Sequence, residues 1–205
     1  MARTVDIAQQ ERQKADIAAA VWRLAARSGL ESVSLREVAA EAGISMGRVQ
    51  HYFDTKDDML RYGLHLASQR MDQRIEQRLA SRKTVRGRDI LYAALDELFG
   101  DDPDTRQAVR VSVAYLGRAL DDPAISELLF ADDRILRTLT AQVVRDAHPA
   151  RSATDAEHEA HIVWSLANGL AIEIACGQTT SEQARALMDH HLTRVLGPPP
   201  PDDLG

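Results

Sequence analysis

Apolar residues recur at spacings of three and four along the whole chain, and no stretch alternates apolar with polar at period two. Every predicted element is therefore a helix. Ile17, Val21, Leu24 and Ala25 mark a first helix that stops at Gly29. Leu35, Val38, Ala39 and Ala42 mark a short second one that stops at Gly43. A third follows Ser45 and ends near Phe53. A long fourth opens at Thr55 and carries Leu60, Leu64, Ala67, Met71, Ile75 and Leu79. Leu91, Leu95 and Leu98 form a fifth helix, closed by Gly100, and Val109, Val113, Leu116 and Leu120 a sixth. From Asp122-Pro123 a single helix is expected through Ile125, Leu129, Leu136, Leu139 and Val143. Proline sits at its first position, where the missing N–H costs nothing. Thr154 with Glu157 opens a helix to about Ala175, and Thr180 with Gln183 opens a last one through Leu187, Leu192 and Val195. The expected fold class is all-α, with about nine helices.

Several starts carry their own caps. Ser34 with Glu37 is a capping box, the hydroxyl taking an orphan N–H while the carboxylate reaches back. Thr55 with Asp58 is a looser version of it. Gly197 and the prolines from Pro198 to Pro201 end regular structure, so residues 198–205 are expected to be a disordered tail.

Composition narrows the class without choosing a function. Of 205 residues, 44% are hydrophobic and 27% charged, a balance that sustains a packed core and excludes wholesale disorder. The longest run without Asp, Glu, Lys or Arg is Ala160 to Ile172, 13 residues and too short for a bilayer, which takes about 20. The amino terminus has no apolar signal core, and the single cysteine, Cys176, excludes an internal disulfide. A cytoplasmic protein without membrane contact is expected. Net charge is −6, yet residues 1–53 sum to +1, and seven basic residues face two acidic ones between Arg70 and Arg88. That excess alone does not lead to nucleic acid. Pattern has to decide.

Two short helices joined through Gly43 and standing on a longer first helix have the geometry of a helix-turn-helix. Its second helix fits a major groove about 12 Å wide. Glycine suits the turn because it reaches positive φ without a Cβ clash. Spacing alone equally allows a plain structural hairpin.

The residues themselves go further. Ser34-Leu35-Arg36-Glu37-Val38-Ala39, Ala42-Gly43-Ile44-Ser45, His51-Tyr52-Phe53 and Lys56-Asp57-Asp58-Met59-Leu60 resemble the tetracycline-repressor (TetR) family of bacterial transcription regulators. The match covers roughly the first 65 residues in register. A weaker pattern, Ala167-Asn168-Gly169-Leu170, resembles choline-responsive members. The resemblance implies a DNA-binding domain over residues 1–54 and a ligand-binding and dimerisation domain over 55–197. Thr55 would open the connecting helix. No catalysis and no cofactor are implied.

On the recognition helix, Val49 and Phe53 lie four apart and should pack on the first helices. Arg48 faces elsewhere and can pair bidentately with guanine, and Gln50 with adenine. Met46 and Gly47 sit at the helix start, where a small residue lets the backbone approach the duplex. Ser34, Arg36 and Ser45 complete the candidate DNA surface; Ser34 could donate to phosphate only if its hydroxyl is not spent as a cap. By the resemblance, His51 and Tyr52 are phosphate or sugar contacts. Lys56 adds charge at a helix amino terminus that already favours phosphate. Gln50 departs from the family, where an aromatic is common, so operator preference does not carry over.

Other signals are weaker. His158-Glu159-Ala160-His161 misses metalloprotease spacing by one residue and lacks a third ligand, so no metal is expected. Arg70, Arg74, Arg78 and Arg82 form a stripe read as a solvated face, with a DNA or domain-contact role as the alternative, and Cys176 reads as a small core residue. The helix from Thr154 is apolar all round and is expected between its own domain and a partner subunit. Ile162, Leu166 and Leu170, with Leu187, Leu192 and Val195, would form the homodimer interface. Trp164 and Asn168, with Tyr92 and Tyr115 as walls, would line a ligand pocket. The expected protein is a homodimeric repressor that binds a palindromic double-stranded operator and is released by an unidentified small molecule. An activator, or a sensor without repressor activity, is the alternative; a helical enzyme or metal protein is a third class.

Overall fold

The computed structural model describes residues 2–198. Among them every regular element is helical, in keeping with the period of the apolar residues. No helix among the described residues is long and apolar enough to cross a membrane. The expected tail lies outside the described residues, apart from Pro198.

The chain forms two compact units. The first takes the residues up to Met71 together with Arg110–Phe130. Within it, α1 (Ala2–Ser28) gives way at Gly29, φ 76°, to a single 3₁₀ turn, Leu30–Ser32. There follow α2 (Leu35–Ala42), α3 (Met46–Tyr52) and the start of α4 (Lys56–Leu79). Gly43 adopts φ 66°, ψ 30°, the left-handed conformation that the turn between α2 and α3 requires. Ile17, Val21, Val38, Val49, Phe53, Met59 and Leu60 share one core, which closes over the inner faces of these helices. The same core takes Val111 and Tyr115 from α6 (Pro103–Ala119) and Ile125 from α7 (Pro123–Leu129). A boundary at Thr55 therefore differs from the compact units. Burial of Tyr115 and Ile125 draws a distant segment into the amino-terminal core.

The second unit holds Asp72–Val109 and the residues from Ala131 on. Its helices are the end of α4, α5 (Gly87–Phe99), the start of α6, α8 (Ala131–Ala147), α9 (Ala153–Ala175) and α10 (Ser181–Leu196). Leu91, Phe99, Val144, Val163, Ala167, Met188 and Leu192 are buried here. The helix expected to run unbroken from Asp122 ends at Phe130 and restarts at Ala131, where the chain passes between units. Asp132 and Asp133 then lie in the first turn of α8, where carboxylates oppose the positive end of the helix dipole. That break makes ten α-helices among the described residues. At α9 the cap is Ser152, whose hydroxyl accepts from the Asp155 N–H; Thr154 falls inside the first turn.

Three expectations need correction. The arginine stripe is solvated only in part, with Arg78 and Arg82 exposed and Arg70 and Arg74 half-buried. The Arg70 guanidinium stands 5.0 Å over the Trp22 ring, and Arg74 and Arg78 donate to Glu97 at 2.5 and 3.0 Å. Arg82 meets Asp89 at 2.6 Å. The Glu97 side chain is 0% exposed, and the two guanidiniums supply the partners its buried carboxyl oxygens need. Cys176, expected in the core, is exposed at the carboxy-terminal cap of α9. The apolar girdle of α9 is also incomplete, because Ser165, Gly169 and Glu173 are exposed beside Ile162 and Ile172.

Candidate nucleic-acid interface

α2, the Gly43 turn and α3 form the helix-turn-helix. Ser34 accepts from the Glu37 N–H at 3.2 Å and Ser45 accepts from the Arg48 N–H at 3.2 Å, so each helix starts on its own hydroxyl cap. Val49 is 0% and Phe53 5% exposed, which turns the opposite side of α3 outward. Met46, Gly47, Arg48, Gln50 and His51 are exposed on it.

A second device holds α2 in place. The Glu41 carboxylate takes Arg23 Nε at 2.7 Å and Arg27 Nη2 at 3.0 Å, both from α1. Hydrogen bonds from Arg23 and then Arg27 hold the Glu41 carboxyl below the usual carboxylate range, outweighing its desolvation.

The candidate DNA residues fall into two groups. The side chains of Arg36, Arg48 and Gln50 are exposed and make no hydrogen bond or ion pair with the described residues. Their donors are free for an external partner. Met46, Gly47 and His51 are exposed beside them, whereas Ser34, Ser45, Tyr52 and Lys56 are already engaged. The Ser34 hydroxyl donates to Glu37 Oε2 at 3.0 Å, so its one proton is spent within the cap and is not offered to phosphate. Ser45 serves the Arg48 N–H. Tyr52 is half-buried against the core and meets His51 edge to face, ring centroids 5.0 Å apart. Lys56 Nζ donates to the Leu30 carbonyl at 3.1 Å, bracing the 3₁₀ turn that leads into α2. The residues that sequence reasoning missed are the braces: Arg23, Arg27 and Glu41. Opposite charges on two expected helices were the available signal.

The expected pocket residues are divided between the two units. Tyr115 belongs to the first unit, fully buried, its hydroxyl donating to the Leu60 carbonyl at 2.8 Å. Tyr92, Trp164 and Asn168 belong to the second. There the Trp164 indole donates to Thr140 Oγ1 at 2.9 Å, while Asn168 Nδ2 donates to Asp133 Oδ2 at 3.3 Å. Burial pushes the Asp133 carboxyl up, against the pull of Arg137 and Asn168. Tyr92 is half-buried under the Arg88 guanidinium, 5.8 Å from its ring.

The expected interface residues also divide. Ile162 and Leu187 are 49% and 53% exposed, and Leu166 is half-buried. Leu170, Leu192 and Val195 are buried in their own unit and have no surface to offer a partner, which removes them from the expected interface. Ile172, which sequence reasoning left out, is exposed on the same helix as Ile162. The histidines of the near-metalloprotease motif make no metal-ligating cluster among the described residues, and His161 Nδ1 lies 3.1 Å from Arg137.

Two family models match this chain. Residues 17–62 match the model described as bacterial regulatory proteins, tetR family. Residues 87–197, more than half of the chain, match the carboxy-terminal domain of BetI-type transcriptional repressors. The HTH-type transcriptional regulator PksA of Bacillus subtilis is 28% identical over 165 residues, 79% of this chain and 78% of PksA. The HTH-type regulator BetI of Burkholderia cenocepacia is 27% identical over 151 residues, 73% of this chain and 77% of BetI. Among solved structures, a transcriptional regulator from Rhodococcus sp. superposes with a TM-score of 0.78 at 28% identity, covering 91% of this chain and 99% of its own. A putative regulator from Saccharomonospora viridis, solved in complex with choline, gives 0.77 at 20% identity, covering 89% of this chain and 96% of its own. At that identity the likeness is one of fold.

Proposed function

The chain belongs to the TetR family of bacterial transcriptional regulators, and from that premise we propose that it is a homodimeric repressor that binds a palindromic operator and is released by a small molecule. As a member of that family it is a DNA-binding regulator and not an enzyme. The observation that carries the reading is the outward face of α3. Arg48 and Gln50 are exposed, unpaired and mounted on a helix whose other side is locked into the core by Val49 and Phe53. A guanidinium and an amide are the side chains that read guanine and adenine edges in the major groove. Arg36, on α2, adds a free positive charge for the phosphate backbone.

A palindromic site follows from two-fold symmetry, since paired recognition helices about 34 Å apart address successive major-groove faces. Ile162, Ile172 and Leu187 supply exposed apolar surface on α9 and α10 for a second copy. The effector acts by binding one spacing of the two heads better than the other. Asp133 and Asn168, packed as a carboxylate and amide between α8 and α9, suit a small cationic effector. The choline bound by the Saccharomonospora regulator is of that class.

Selection from a randomised duplex pool tests the reading. The wild-type chain should enrich a palindrome. A reporter driven by a promoter carrying that palindrome should fall when the chain is expressed and rise again with effector. Enrichment of no sequence overturns operator binding, and a reporter that rises on expression makes the chain an activator.

A further inference from the structure

The segment Arg110–Phe130 lies beyond the helix-turn-helix and beyond the residues that the amino-terminal family model matches, yet it folds into the same unit. Its apolar residues Val111, Tyr115 and Ile125 are buried with Val49 and Phe53. Its polar residues converge on the first turns of α4. The Tyr115 hydroxyl donates to the Leu60 carbonyl at 2.8 Å, and Arg118 Nη2 donates to Asp57 Oδ1 at 2.6 Å. Arg61 Nη2 donates to Asp122 Oδ2 at 3.4 Å, the residue that also caps α7. The opening residue of α4 is Lys56, whose ammonium braces the turn before α2. The start of α4 is thus held by the reading head through Lys56 and by α6 and α7 through three further contacts.

We infer that Tyr115, Arg118 and Asp122 are positioning residues for operator binding, acting through α4 on the helix-turn-helix. The Arg118–Asp57 pair is 34% and 43% exposed. An ion pair so open to solvent adds little stability, and what it does supply is a fixed geometry. A reading head displaced from its proper place keeps its charge and loses its match to base edges. Specific binding should suffer while non-specific binding does not.

The test uses the full chain and two fluorescent duplexes, one selected by the wild type from a randomised pool and one of random sequence. Arg118→Gln and Asp57→Asn should each weaken the selected duplex about three- to fivefold, and the double variant no further. The random duplex should change less than about twofold, with thermal midpoints close to wild type. Asp57→Asn is the discriminating arm. It makes the chain less negative, so simple electrostatics predicts tighter binding and positioning predicts weaker. Tyr115→Phe, which keeps the ring and removes the hydroxyl, should follow in the same direction. Unchanged affinity for the selected duplex in folded Asp57→Asn overturns the inference, as does an equal loss on both duplexes. Should Arg118→Gln fail to fold, Asp57→Asn decides alone. A wild-type chain that enriches no sequence overturns operator binding itself, and this inference with it.

Discussion

The Trp22 indole N–H donates to the backbone carbonyl of Gly63 at 3.0 Å in the interior of the first unit. A Cβ at Gly63 would stand 3.4 Å from both Trp22 Nε1 and Tyr115 Oη, so a methyl group would just touch them and a larger side chain would press on both. At this point α1 and α6 close on α4. Trp22→Phe removes the donor and some area, and should lower unfolding free energy by about 1–2 kcal/mol in urea denaturation. Gly63→Val should cost more, because a branched side chain has to displace both rings. Equal stability of Gly63→Val and wild type would remove the crossing from this account.

Glu97 and its two arginines give a second expected outcome. Glu97→Ala leaves Arg74 and Arg78 turned toward a buried site with no counter-charge, and should cost about 2–4 kcal/mol. The guanidiniums are 25% and 38% exposed and can partly turn to water, which holds the cost below that of a fully buried pair. Replacing Glu97, Arg74 and Arg78 together by Leu, Met and Met should restore much of the loss, because no uncompensated charge remains. Chemical denaturation of the single and triple variants separates the two cases.

On the DNA side, the free and the engaged cations should behave differently. Arg48→Ala should lose about 1–3 kcal/mol on the selected duplex and little on random sequence. Arg36→Ala should weaken all duplexes alike and reduce the salt slope by about one. Lys56→Ala should lower thermal stability through the lost Leu30 contact and leave the salt slope largely intact. A salt slope that falls for Lys56→Ala as it does for Arg36→Ala would return Lys56 to the phosphate backbone.

The last outcome concerns assembly. Leu187 is half exposed and Leu192 is 0% exposed, although both lie on α10. Leu187→Glu should give a folded monomer in sedimentation and weaken the palindrome far more than a half-site. Leu192→Glu should unfold the second unit, since its charge is buried without a partner. A Leu187→Glu chain that still sediments as a dimer places the interface elsewhere.

How far each feature could be read from the sequence follows from the range of the interaction behind it. Most helix positions, the Ser34, Ser45 and Thr180 caps and the left-handed Gly43 depend on neighbours a few residues away and were legible in the order of residues, whereas the break at Phe130 between α7 and α8 was not. The outward side of α3 was legible for the same reason, because Val49 and Phe53 share one face of a short helix. Partners far apart in the chain were not legible. Nothing local tells that Lys56 turns to Leu30, that Tyr115 reaches Leu60 or that Glu97 sits between Arg74 and Arg78. Periodicity says that a face is buried without saying what covers it, which is why Leu192 and Val195 read as interface and proved to be core. The type of protein lay in the sequence; which of its polar groups remain free for DNA was decided by tertiary contacts, because a donor spent on a carbonyl inside the fold is no longer available outside it.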